Sequence, residues 1–161
     1  MIINRIVINN FRSFYGENVF NFNDDDSKPV NIIFCENGVG KTNFLNSIYW
    51  CFHGDLTDSV KDSDSDNIVN TTAIAKDDIQ ETSVSIDFSI DKNKFRITRE
   101  QIDRNKTKNL KIEEIIKGSI GEEMPTSLIE EVLPKSMAKY SLRRNATQPD
   151  TPYQPPDMSA Y

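Results

Sequence analysis

The residues best suited to chemistry lie in one short run, Glu36-Asn37-Gly38-Val39-Gly40-Lys41-Thr42. Two glycines spaced this way let the backbone turn so that successive amide N–H groups point at one centre, a geometry that cradles phosphate oxygens. Lys41 would add a mobile positive charge for the outer phosphates. Thr42 would offer a hydroxyl to a Mg²⁺ ion bridging them. The usual form of this loop opens with glycine, and here that position holds Cys35. A small thiol side chain fits there, with a less relaxed turn. The residues assigned to the triphosphate are Asn37, Gly38, Val39, Gly40, Lys41, Thr42 and Asn43, with Thr42 also facing the metal. The pattern suits ATP and GTP alike, and it speaks for binding more strongly than for hydrolysis.

Such a loop works only between a strand and a helix, because the first turn of a helix adds amides without intrahelical acceptors and the positive end of its dipole. Val30-Asn31-Ile32-Ile33-Phe34 reads as a short, buried strand ahead of the loop. Behind it, Phe44, Leu45, Ile48, Cys51 and Phe52 recur at helical spacing from Lys41 to Phe52, and Gly54 suits a helix C-terminal cap.

The remaining elements frame this unit. Ile2 to Asn9 reads as a strand rich in β-branched residues, and Val19-Phe20-Asn21-Phe22 as a second. Residues Asn23 to Pro29 have the composition of a turn. Asp55 to Glu81, rich in Asp, Ser, Thr and Asn, reads as a long loop with one helical turn. Val84, Ile86, Phe88 and Ile90 alternate strictly, a turn follows at Asp91-Lys92-Asn93-Lys94, and Phe95 and Ile97 resume. That is a β-hairpin. Leu110 to Ile116 adds a strand that ends at Lys117-Gly118-Ser119. Ser127-Leu128-Ile129-Glu130 has the form of a helix capping box, and Pro134 closes that helix after Leu133. Pro149, Pro152, Pro155 and Pro156 mark residues 141–161 as a proline-rich tail expected to be disordered.

Bulk properties bound the answer. The chain has 161 residues, a net charge of −6, 37% apolar and 27% charged residues, which suits one soluble domain. No run of about 18 apolar residues appears, which argues against a membrane span. The first residues lack the pattern of a signal peptide, so a cytoplasmic location is expected. Cys35, Cys51 and the single His53 have no metal-ligand spacing. Between Lys92 and Lys111 eight basic residues (Lys92, Lys94, Arg96, Arg99, Arg104, Lys106, Lys108 and Lys111) face only Glu100 and Asp103. Such a stretch suits either a DNA-backbone contact or an ordinary solvated hairpin face.

Asn10-Phe11-Arg12-Ser13-Phe14, the Asn-Gly-x-Gly-Lys-Thr loop and Phe44-Leu45-Asn46-Ser47-Ile48 together resemble the N-terminal lobe of SMC-type ATPase heads. The resemblance runs from Met1 to about Tyr140, and it is nearest to the SbcC-like double-strand-break-repair ATPases and the DndD-like, phage-defence SMC proteins. It implies an α/β P-loop lobe with a mixed, largely antiparallel sheet, one phosphate-loop helix and an incomplete parallel core begun by Val30 to Phe34. It also implies that Arg12 and Ser13 approach the nucleotide from the side opposite the loop, with ATP and Mg²⁺ as cofactors.

In such heads a second lobe supplies a signature motif and a Walker B acid pair, and two heads sandwich the ATP. Here the six glycines include no Gly-Gly pair, and no run of four apolar residues precedes an acid pair. The chain is therefore expected to be a truncated or split portion of a longer ATPase. Its partner would be a C-terminal ATPase lobe or a second head, and alone it would be inactive. The alternative is a nucleotide-sensing or interaction module with no turnover.

Overall fold

The computed structural model describes residues 1–22, 31–34, 36, 38–56, 68–79, 81–102, 108–116 and 118–132, with backbone alone at 108, 131 and 132. The strands are β1 (Ile2–Asn9), β2 (Glu17–Asn21), β3 (Thr82–Ile90), β4 (Asn93–Gln101), β5 (Lys108–Ile116) and β6 (Ser119–Glu123). The helices are α1 (Lys41–His53), α2 (Thr71–Asp77) and α3 (Leu128–Val132). The strands form one sheet in the order β2-β1-β3-β4-β5-β6, and every pairing in it is antiparallel.

Alternation in the strands decides which face receives α1. Ile6 and Ile8 of β1, Val84, Ile86 and Phe88 of β3, Phe95 and Ile97 of β4 and Ile112 of β5 form one buried layer. The other face carries Ser85 hydrogen-bonded to Thr98 at 2.9 Å and Arg96 paired through two bonds with Asp87, at 2.6 and 2.8 Å. Phe44, Ile48, Cys51 and Phe52 of α1 join the buried layer, as do Phe11 and Ile68. Trp50 is 1% exposed and lies 5.4 Å, centroid to centroid, from Phe11. Burying one such ring contributes about 1.5–3 kcal/mol. The helix is thus fixed along its length by the same residues that gave it helical spacing in the sequence.

Several expectations are met by position. The helix after the phosphate loop, the strands at each side of Asp91-Lys92 and the short helix after Ser127 all form. Others are corrected. Asn31 to Phe34 form no strand, and Ile32 and Phe34 are 87% and 95% exposed. A strand needs a hydrogen-bonding neighbour, and none of the sheet's pairings involves these residues. The expected parallel core therefore does not begin among the described residues. The expected long loop from Asp55 to Glu81 contains α2 and an isolated bridge between Phe11 and Val69. The strand expected to end at Ser119 turns at Gly118, whose φ is 82, and returns as β6. Val30, the turn at Asn23 to Pro29, Leu133, Pro134 and the proline tail lie outside the described residues, as do Cys35 and Asn37.

Candidate nucleotide-phosphate site

The site is built where the start of α1 meets the connection between β1 and β2. Gly38 and Gly40 have φ of 87 and 109, a backbone region that side-chain-bearing residues rarely adopt. Gly40 occupies the N-cap position of α1, no side-chain oxygen caps it, and the first turn carries no acid. The first helical hydrogen bond runs from Phe44 N–H to Gly40 O at 2.8 Å. Lys41 Nζ donates to Glu36 O at 2.7 Å, so the ammonium spans the loop from its far end to its start. Thr42 is exposed at the helix tip.

The β1–β2 connection approaches from the other side. A Cβ on Gly40 would stand 2.7 Å from Ser13 Oγ and would push that hydroxyl aside. Asn43 Nδ2 donates to Ser13 Oγ at 3.0 Å, and Arg12 Nη1 donates to Asn43 Oδ1 at 3.3 Å. Of the predicted residues, the structure therefore brings Arg12, Ser13, Gly40 and Asn43 together and places Gly38, Lys41 and Thr42 on the adjoining turn. Val39 is 60% exposed on that turn. Chemically, this arrangement offers helix-start amides, an ammonium, a guanidinium and two hydroxyls. That donor set fits a polyphosphate, and Thr42 can supply one oxygen ligand to its metal.

The connection is held in a costly shape. Asn10 and Arg12 have φ of 49 and 47, and left-handed geometry costs a non-glycine residue about 1–2 kcal/mol. Gly16 N–H donates to Asn10 Oδ1 at 2.8 Å. Tyr15 Oη donates to Asp77 Oδ2 at 2.6 Å, which raises the tyrosine pKa above its ordinary value. These bonds fasten both ends of the turn.

Among the described residues, the basic stretch from Lys92 to Lys111 does not present one surface. Arg96 is paired with Asp87, and Lys111 with Glu113 at 2.5 Å, which raises the lysine pKa. Arg99 points inward, where burial lowers its pKa; its Nε donates to Cys51 O at 2.9 Å and its Nη2 to Phe52 O at 3.2 Å. Lys92 is exposed at the hairpin turn, and Arg104 and Lys106 lie outside the described residues. Elsewhere, a cavity of about 770 Å³ is bordered by Asp78, Glu81 and Glu100 with no lysine or arginine, so it does not suit an anion.

Two residues escaped the sequence reading. Asn70 holds Arg12 O through its side chain at 2.5 Å; the sequence signal was an Asn directly before Thr71-Thr72-Ala73. Arg99 was counted as surface charge, although the alternation that turns Phe95 and Ile97 inward turns it inward too.

Among the described residues no helix is long and apolar enough to cross a membrane, and no group of His, Cys, Asp or Glu could hold a metal. Residues 5–145 match the AAA domain family. Over 98 residues the chain is 31% identical to the DNA replication and repair protein RecF of Acetivibrio thermocellus, covering 58% of this chain and 25% of that protein. The chain thus spans about a quarter of that relative's length. The SMC head domain from Thermotoga maritima is similar at a TM-score of 0.48 and 17% identity, over 82% of this chain and 42% of that one. With residues 5–145 matched, the chain belongs to the AAA domain family.

Proposed function

We propose that this chain binds Mg·ATP as the nucleotide-holding lobe of an SMC-like ATPase acting in DNA repair and processing or in anti-phage defence, in the cytoplasm. The observation that carries the reading is the convergence of two turns on the start of α1. Gly38 and Gly40 adopt positive φ beside Lys41, while Arg12 and Ser13 close on Asn43 and Gly40 from the facing side. Membership of the AAA domain family supports ATP as the ligand. The RecF relative, a DNA replication and repair protein by name, supports the process.

In this reading Lys41 and the loop amides hold the β- and γ-phosphates, Thr42 holds Mg²⁺, and Arg12 and Ser13 meet the phosphates or ribose. Phosphoryl transfer also needs an oriented water and further charge at the γ-phosphate. The acid pair and signature motif that supply these in such heads have no counterpart in residues 1–161. They would come from a C-terminal lobe and a second head, whether farther along a longer chain or in a separate subunit. Among the described residues of Lys92–Lys111, Arg96, Arg99 and Lys111 already have partners, so a DNA contact there would draw on the others.

Titrating Mg·ATP onto the chain and its Lys41→Ala variant tests the reading. The wild type should bind with negligible turnover, and the variant should bind about 30-fold more weakly, the loss of one charge-assisted contact of about 2 kcal/mol. Absence of binding by the wild type would sink the proposal. A robust Mg²⁺-dependent ATPase rate that vanishes in the variant would overturn the claim that hydrolysis lies elsewhere. The missing acids equally favour a nucleotide-sensing or interaction module without turnover. Supplying a C-terminal head lobe would restore hydrolysis under the first reading and leave it absent under this second one.

A further inference from the structure

Arg12 sits at positive φ, and both polar groups of its backbone are taken by one short segment that ends at the start of α2. Arg12 N–H donates to Ile68 O at 2.7 Å, and Arg12 O accepts from Asn70 Nδ2 at 2.5 Å. Asn70 N–H donates to Asn10 O at 2.7 Å, with Phe11 and Val69 bridged between them. Residues 10–12 and 68–70 therefore zip together antiparallel. Asn70 is 4% exposed, and its side chain has a second task. Its Oδ1 accepts from Thr72 N at 2.9 Å and Ala73 N at 3.0 Å, capping α2.

We propose that Asn70 is a positioning residue of the nucleotide site: one side chain caps α2 and holds the Arg12 backbone in the conformation that aims its guanidinium at Asn43 and the start of α1. This inference rests on the reading of Arg12 as a nucleotide contact. The chemistry explains why the residue is an amide. The donor must meet a carbonyl while the acceptor meets two amides, and only Asn or Gln carries both functions on one planar group. Serine is too short to span both partners, and glutamine adds a methylene in a buried position. Aspartate keeps the acceptor, which is a strong helix cap, and loses the donor.

That asymmetry separates the two tasks. Asn70→Asp retains the bonds to Thr72 and Ala73 and places a carboxylate against Arg12 O, whereas Asn70→Ala removes cap and tether together. Mg·ATP affinity and thermal midpoint are measured for the full 161-residue chain, for both variants, and for each in an Arg12→Ala background. Asn70→Asp should lower the midpoint less than Asn70→Ala does, because the cap survives, and bind about five- to tenfold more weakly, the scale of one lost hydrogen bond. Asn70→Ala should lower both. In the Arg12→Ala background the Asn70→Asp effect on affinity should shrink below about twofold, because distant, independent groups add and coupled ones do not.

Wild-type affinity in Asn70→Asp overturns the inference, as does an equal loss in both backgrounds or a midpoint as low as that of Asn70→Ala. A wild type that binds, a Lys41→Ala variant that binds about 30-fold more weakly and an unaffected Asn70→Asp defeat this inference alone. A wild type that fails to bind defeats the nucleotide reading with it.

Discussion

The two ends of α1 are finished differently. At the C-terminus the fold supplies partners for three carbonyls: Gly54 N–H, with φ of 77, donates to Trp50 O at 2.8 Å, and the buried Arg99 guanidinium reaches Cys51 O and Phe52 O. A cation at this end also meets the negative pole of the helix. The fit is tight enough that a Cβ on Gly54 would lie 3.1 Å from Arg99 Nη1. At the N-terminus a glycine stands where a capping side chain would serve stability, and the neighbouring turn brings donors. Acceptors are what a helix start needs, and a phosphate is made of them. One end is closed by the protein, and the other is left open where the proposed phosphate would sit.

If this contrast is right, mutations at the two ends should separate stability from binding. The largest effect belongs to the closed end. Arg99→Met keeps the apolar stem and strips the donors from two buried carbonyls, each costing about 1–3 kcal/mol when orphaned. Release of a buried charge offsets part of this. A net loss of about 2–3 kcal/mol is expected as a lower urea midpoint, and an unchanged midpoint would show that this end is not closed by Arg99. At the open end, Lys41→Ala should leave the midpoint within about 0.5 kcal/mol of wild type, the range of substitutions outside the core. A large destabilisation there would erase the contrast.

A further effect is read through pH. Burial pushes the Cys51 thiol up to about 12, the nearby Arg99 charge opposing the shift, and the thiol lies 3.2 Å from Val84 O. A folded-state pKa above the unfolded one makes the stabilisation complete below about pH 9 and progressively lost as pH rises toward 12. Above pH 9 the wild type should therefore lose stability more steeply with rising pH than Cys51→Ala. Parallel curves for the two proteins would show that Cys51 does not ionise against the closed end.

The sequence announced those parts whose signal is local. The glycine spacing, the helical recurrence of Phe44, Ile48, Cys51 and Phe52, and the alternation of Val84, Ile86 and Phe88 each depend on the element's own period. What it concealed depends on partners distant in the chain. Asn31 to Phe34 is as apolar as a buried strand, yet apolarity makes a strand only where a neighbour offers hydrogen bonds. Asn70 looks like any polar loop residue until Arg12 is beside it, 58 positions away. Arg99 adds to a count of charges that ignores which face of a strand each residue occupies. β6, with Ser119, Gly121 and Glu122, has the composition of a turn and becomes a strand because Ile115 pairs with Ile120.

The strand order has a consequence for assembly. β3, β4, β5 and β6 are successive hairpins, whereas β1 reaches its neighbour β3 across the whole intervening chain, with Ile2 opposite Ser89 and Asn9 opposite Ser83. Loop closure of that length must be completed before its contacts reward it, so the local meander is expected to form ahead of the β1–β3 seam. Pulse-labelled hydrogen exchange should then find β3 and β4 amides protected before those of β1, and simultaneous protection would exclude this order. The phosphate loop and α1 lie inside that closing loop. A nascent chain accordingly carries its glycine turn long before it has a Ser13 and Arg12 in place to face it, and the proposed nucleotide site becomes whole only when the sheet's most distant pairing closes.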